Sequence, residues 1–170
     1  LSINRYSQPP LFRTISYLTI KLCGKTDQPV SFVTFDLDYF KKINDVHGHL
    51  IGDEALKMAV NAAKSACLKK DTIVRLGGEE FGILLLGCGN HLAAHIAEKC
   101  RSAIEKFDSS VSGHQFTLTA SFGVSDSSIC GHEFTKLFAG ADGALHQAKD
   151  LGRNKVFNYQ TNSYVFAEGR

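Results

Sequence analysis

Apolar residues recur along this chain in two rhythms, one helical and one strand-like, and the order in which they alternate sets the expected fold. Pro9-Pro10 opens an apolar stretch over residues 11–22 that reads as a helix with proline at its start, ended by Gly24 and residues 27–29. Residues 31–37, rich in Phe and Val, predict a buried strand. Leu56, Ala59, Val60, Ala63 and Cys67 repeat at helical spacing and predict a helix over residues 52–67. Residues 72–76 and 81–86 are β-rich runs joined by Gly77-Gly78, a hairpin signal because glycine admits positive φ without a Cβ clash. Asn90 is placed to cap a helix running to about Phe107.

Two more strands are expected, over residues 115–119 and 121–125. Phe134, Leu137, Phe138, Ala141, Leu145 and Ala148 then mark a final amphipathic helix, stopped at Gly152, before a closing strand over residues 155–159. Strands and helices mixed in this way around a hairpin predict an α+β fold, with helices packed on a largely antiparallel sheet. The organisation reads as a lead-in helix and linker (1–29), one domain (30–160) and a short tail (161–170).

Composition adds limits. The 170 residues suit one domain, and 44% hydrophobic with 21% charged residues is ordinary globular usage. A net charge of only +2 does not suit a nucleic-acid coat or a polybasic membrane arm. The longest apolar run, residues 81–86, is too short to cross a bilayer, and no leader-peptide pattern opens the chain, so no direct membrane insertion is expected. Five cysteines without CxxC spacing read as reduced, mostly buried thiols in a cytoplasmic protein. An N-terminal sensory or regulatory domain outside this chain is expected, through which the domain can be tethered to a membrane.

Candidate chemistry concentrates in four places. Phe35-Asp36-Leu37-Asp38-Tyr39-Phe40 is an apolar strand ending in acid; if Leu37 faces the core, Asp36 and Asp38 face away from it. Asp is also common in ordinary strand-end turns. Arg75-Leu76-Gly77-Gly78-Glu79-Glu80-Phe81 sets two mutually repelling acids at a hairpin tip. A turn does not need that pair, whereas hard divalent cations prefer such oxygen ligands. Solvated acids on an exposed turn are the plain alternative.

Asn44 and Asp53, in the Lys41-Lys42-Ile43-Asn44-Asp45 and Gly48-His49-Leu50-Ile51-Gly52-Asp53 blocks, read as a turn residue and a helix cap, or as readers of a purine edge. Lys149 and Arg153 lie around the end of the last helix, where cations also suit the dipole.

Other signals fail. Gly24-Lys25-Thr26 has Thr19 where a Walker loop needs its first glycine, and Gly87-Cys88-Gly89 has Leu92 at the third Rossmann glycine. An EF-hand would place Phe40 and His47 at ligand positions. His91 and His95 share a helix face without a third ligand, and Ser121 has no evident triad partners.

Taken together, these blocks resemble the GGDEF family of diguanylate cyclases. The match runs from Phe35-Asp36-Leu37-Asp38-Tyr39-Phe40-Lys41-Lys42-Ile43-Asn44-Asp45 through Gly48-His49 and Gly52-Asp53 to Gly77-Gly78-Glu79-Glu80-Phe81, a GGEEF form of the signature. It continues through Ser121-Phe122-Gly123-Val124 and Ala141-Asp142 to Ala148-Lys149 and Gly152-Arg153-Asn154, every block in the family's order over about residues 30–160.

The resemblance implies a palm-like fold similar to class III nucleotide cyclases. It also implies condensation of two GTP into cyclic di-GMP and two pyrophosphates, in bacterial signalling, with Mg²⁺ or Mn²⁺, two per site. It implies one GTP per subunit of a symmetric homodimer.

Residue roles follow from the same resemblance. Asp36 and Glu79 would bind metal by carboxylate and Leu37 by its carbonyl, while Glu80 would bind metal or take the attacking hydroxyl's proton. Asn44 and Asp53 would recognise guanine. Lys41, Lys149, Arg153 and the backbone of Tyr39 and Phe40 would hold phosphate.

Two departures stand out. The family's opening signature survives only as something like Leu1-Ser2-Ile3-Asn4-Arg5, and His146 replaces a common Tyr. A product-inhibition site of Arg-x-x-Asp form is degenerate: Leu68-Lys69-Lys70-Asp71 keeps only Asp71. The competing readings are a catalytically inactive GTP-binding regulatory module and a cyclase making another nucleotide.

Overall fold

Strand β1 (Val30–Leu37) is the spine of the protein, and all of it but Asp36 is buried. It pairs antiparallel on one side with β3 (Glu80–Leu86) and on the other with β4 (Ala120–Asp126). β2 (Thr72–Gly77) closes the hairpin with β3 and forms one edge. Beyond β4, β5 (Val156–Asn158) runs parallel to it, and β6 (Ser163–Val165) pairs antiparallel with β5, giving the order β2-β3-β1-β4-β5-β6. This computed structural model describes residues 10–107, 110, 113–159 and 163–165, the last three by backbone only.

A strand buried on both faces needs helices on both faces, and the sequence supplies them. Helices α2 (Phe40–His47), α3 (His49–Lys64) and α4 (Asn90–Lys106) pack on the face to which Val33, Phe35 and Leu37 point. On the opposite face Phe32 and Leu84 meet α1 (Pro10–Lys25) and α6 (Phe134–Asp150), with Cys130 from the four-residue α5 (Ser127–Cys130). The expected α+β architecture is thus present, and the predicted strands at 31–37, 72–76, 81–86 and 121–125 lie within one residue of their observed bounds.

Aromatic stacking sets the register on which the site depends. Phe35 is stacked between Phe81, at 5.1 Å, and Phe122, at 4.8 Å, on the two flanking strands. Because side chains alternate along a strand, locking Phe35 opposite Phe81 and Phe122 turns Asp36, Glu80 and Ser121 together to the other face.

Several expectations change. Residues 115–119 form no strand: the Thr119 carbonyl accepts the Asp38 N–H at 2.9 Å, so this segment is pinned at its end rather than paired along its length. The helix expected over 52–67 is α3, which starts and ends one turn earlier. Asn90 does not cap α4: Gly89 holds that position, and the Asn90 and Asn158 amides bond each other. β6 falls in what reads as a featureless tail, and the degenerate opening block, residues 1–5, lies outside the described residues. All five cysteines are free, four buried and Cys67 half-buried.

Candidate active site

Where β1 ends, the chain turns through Tyr39, in left-handed backbone at φ 54°, directly into α2. Among the described residues no side chain caps α2; the Lys42 N–H donates to the Tyr39 carbonyl at 2.9 Å, which leaves the Phe40 and Lys41 N–H groups for an anion at the C-terminal end of the central strand. The β2–β3 hairpin folds back beside this turn. Gly78, at φ 50°, takes the left-handed position that the tight turn requires, and the Glu79 carbonyl accepts the Leu37 N–H at 3.3 Å. The two acidic motifs, Asp36 and Glu79 lying 43 positions apart in sequence, therefore meet.

A hollow of about 180 Å³ lies between them, lined by Asp36, Leu37, Asp38, Tyr39, Phe40, Lys41, Glu79, Lys149 and Arg153. It gathers every residue expected to bind metal or phosphate except Glu80, which stands opposite Asp36 across the β1–β3 pair. A larger hollow of about 520 Å³ sits alongside, between α2 and residues 115–119, and shares Asp38 and Tyr39. Among the described residues its one carboxylate is Asp38, which is taken up by hydrogen bonds within the fold, so size does not mark the chemical centre.

Charge inside the smaller hollow is closely balanced. Lys149, from the last turn of α6, places Nζ 2.8 Å from Asp36 Oδ2. Even so, the Asp36 carboxyl is pushed up to about 6: burial raises it more than Lys149 lowers it, and Glu79 and Asp38 add repulsion. At neutral pH Asp36 is a half-buried anion, paired among the described residues with the Lys149 ammonium.

Among the described residues no three His, Cys, Asp or Glu side chains form a metal cage. Of the three carboxylates lining the hollow, Asp38 is taken up by hydrogen bonds within the fold, which leaves Asp36 and Glu79 beside Leu37. Mg²⁺ is ordinarily held by one or two carboxylates together with substrate phosphate and water, so this hard oxygen set fits it.

Asp38 does not face away from the core as strand alternation suggests. It is buried, accepting from Ser121 Oγ at 2.6 Å, Thr119 Oγ1 at 2.8 Å and the Asn154 N–H at 3.0 Å. It braces the turn carrying Arg153 and Asn154, both in left-handed backbone. The same turn is gripped by Arg101, which is 1% exposed, donates to Asn154 Oδ1 at 2.6 Å, and pairs with Glu98 and Glu105 at 2.8 and 2.9 Å. Arg153 in turn lies over the Tyr39 ring, 4.8 Å from its centre. Sequence reasoning missed Arg101 and the bracing role of Asp38; an arginine on the buried stripe of α4, beside Ala97, Cys100 and Ile104, was the available signal.

The structure removes the plain alternatives for the guanine candidates. Asn44 lies within α2 and Asp53 within α3, and neither is a cap or a turn residue. Asn44 Oδ1 is buried with no hydrogen-bond partner among the described residues. It occupies the space of a missing side chain, since a Cβ on Gly52 would come within 1.7 Å of it. Asp53 is exposed, one residue beyond Gly52. Together they form a second locus outside the acidic hollow, Asn44 on α2, which starts there, and Asp53 on the following helix α3.

Asp71 has a local duty: its carboxylate accepts the Leu68 N–H at 2.8 Å, closing the turn before β2. Leu68 itself is 62% exposed. This segment sits at the far end of β2, about 20 Å along the strand from Gly77.

Residues 11–155 match the diguanylate cyclase GGDEF domain. The chain belongs to that family. It is 34% identical over 138 residues to diguanylate cyclase A of Treponema denticola, covering 81% of this chain and 37% of that one. With diguanylate cyclase VdcA of Vibrio cholerae it shares 39% identity over 132 residues, 76% of this chain and 39% of that protein. The chain thus spans under two-fifths of the length of these curated relatives.

Among solved structures, the active GGEEF domain of a diguanylate cyclase from Vibrio cholerae superposes with a TM-score of 0.83 at 28% identity, covering 91% of this chain and 97% of that one. The GGDEF fold of this chain is therefore shown. Among the described residues no helix is long and apolar enough to cross a membrane.

Proposed function

We propose that this GGDEF domain is the catalytic unit of a diguanylate cyclase. Two GTP molecules are joined by two 3′–5′ phosphodiester bonds, and two pyrophosphates are released. The observation that carries the reading is the hollow itself, where the Asp36 and Glu79 carboxylates and Leu37 meet Lys41, Lys149 and Arg153 at an uncapped helix start.

Asp36, Glu79, Glu80 and the Leu37 carbonyl would hold divalent metal, Mg²⁺ or Mn²⁺, two per site. When bound, the metal supplies Lewis-acid charge at the α-phosphate and lowers the pKa of the attacking hydroxyl. Lys41, Arg153 and the α2 N–H groups bind the triphosphate, and Lys149 exchanges its Asp36 contact for a phosphate. Glu80 accepts the proton of the 3′-hydroxyl as its oxygen attacks the α-phosphorus of the other GTP and pyrophosphate leaves. Each domain offers one GTP site, so closing the ring needs two domains face to face in a C₂ dimer. The test is incubation with GTP and Mg²⁺ followed by chromatography. Cyclic di-GMP is expected; unreacted bound GTP means a binding module, and another cyclic nucleotide means a different cyclase.

Guanine selectivity follows from Asn44 and Asp53. Guanine offers Asp53 its N1–H and N2 amine, whereas adenine presents a lone pair at N1 and no N2 amine. The mispairing costs about 1–3 kcal/mol, or roughly 5- to 150-fold in favour of GTP over ATP. Asp53→Ala is expected to erase most of that ratio in competition assays; equal use of both nucleotides by the unmodified protein would contradict the assignment.

Product feedback through the segment before β2 is expected to be weak or absent. A guanidinium grips phosphate bidentately and stacks on a base; Leu68 does neither, and Lys69 and Lys70 are offset and lack the planar fork. Calorimetric titration with cyclic di-GMP, with the active site blocked, should show no submicromolar binding. Tight binding that vanishes in Asp71→Ala would overturn this.

A further inference from the structure

We propose that α1 is a membrane-surface helix, whose outer apolar stripe and basic flank seat on an anionic lipid headgroup layer. α1 already spends one face on the core, burying Phe12, Ser16, Ile20 and Cys23. At about 100° per residue these four share one side of the helix. Leu11, Ile15, Leu18 and Leu22, at spacings of four, three and four, form a second stripe about 120° round from the first. They are 71, 49, 60 and 61% exposed. A helix that serves only the domain core has one apolar stripe and a polar outer face. A contiguous exposed apolar patch marks an interaction surface.

Charge selects the occupant. Lys25 and Lys21 border the outer stripe on one side, with Arg13 further round, and Pro10–Lys25 contains no Asp or Glu. Tyr17 lies on the same flank, its ring 5.8 Å from Lys21 Nζ. Two copies pairing through this stripe would bring like charges together, with no acid on the helix itself to answer them. An anionic bilayer surface instead answers both features at once: the leucines enter the acyl boundary, the lysines meet phosphate, and Tyr17 sits at the headgroup level. Sixteen residues, about 24 Å long, lie in the plane of the surface. This is seating on a membrane, distinct from the insertion that the sequence argues against, and it is independent of the cyclase reading.

The 170-residue protein should be sedimented with vesicles of phosphatidylcholine containing phosphatidylglycerol, and with phosphatidylcholine alone. Binding is expected on the anionic vesicles only, and it should weaken in high salt. Lys21→Glu with Lys25→Glu, and separately Leu18→Asp with Leu22→Asp, should each lower the partition coefficient by roughly tenfold or more. All four side chains are exposed, so both variants should melt like the parent, which thermal unfolding checks. No binding by the parent protein, binding unchanged in the variants, or equal binding to neutral vesicles would each overturn the proposal. So would a concentration-dependent dimer that the leucine changes abolish without any vesicle binding, which would identify a second copy as the occupant.

Discussion

Replacing Glu80 with Gln is expected to leave a folded protein whose cyclic di-GMP synthesis falls at least ~100-fold, the usual cost of losing one preorganised electrostatic group. The substitution removes a charge and almost no volume. Glu80 opens β3 and is only half-buried, while its backbone pairing with Asp36 is untouched by the change. Phe81, the next residue, keeps its stack on Phe35 and so preserves the register. Turnover and thermal unfolding measured on one preparation separate chemistry from stability. Near-normal product formation by a folded Glu80→Gln protein would sink the catalytic assignment, and a collapsed melt would make Glu80 a structural residue instead.

The largest stability effect is expected at Gly123, in the middle of β4. A Cβ there would lie 2.1 Å from the Ala141 carbonyl oxygen and 2.3 Å from the Leu145 nitrogen, both backbone atoms of α6. No rotamer relieves an overlap with backbone, so Gly123→Ala must push the whole helix off the sheet. A cost of about 3 kcal/mol is expected, lowering the melting temperature by about 10 °C.

Activity should fall further than the melt implies, because α6 carries Lys149 to Asp36. Gly143, exposed and two residues along the same helix from Ala141, is the internal control: nothing lies within 4 Å of its Cβ position. Gly143→Ala should therefore stabilise by up to about 1 kcal/mol. If the two alanine variants melt alike, close packing of β4 on α6 is not what holds this glycine.

Much of the site was legible because its chemistry is local. A strand that ends in Asp36 and a glycine hairpin tipped with Glu79 and Glu80 announce carboxylates where a fold would need none. Asn44, Asp53, Lys149 and Arg153 were less legible, since each had an ordinary structural use as a turn, cap or dipole partner. For Asn44 and Asp53 the structure withdraws that use by placing both inside helices.

α2 was hidden because an eight-residue helix holding Asn, Asp and a β-branched Ile has weak propensity of its own; burial of Phe40 and Ile43 stabilises it. The expected strand at 115–119 failed for the converse reason. Its alternation of Phe116 and Leu118 is real, and Leu118 is buried, but the segment hands its terminal hydrogen bonds to Asp38.

By itself, then, the sequence determined β1 to β5, the long helices and the acidic motifs, because periodicity and turn chemistry act over a few residues. Which carboxylate would be spent on structure was a tertiary decision. Asp36 and Asp38 are equivalent on paper, yet only packing shows three donors converging on Asp38 from β4, residue 119 and the turn after α6, leaving Asp36 to face the hollow. Arg101 belongs to the same class, since its partners lie up to 53 residues away. Hydrogen bonds of that reach depend on how layers stack, and no local pattern encodes the stacking.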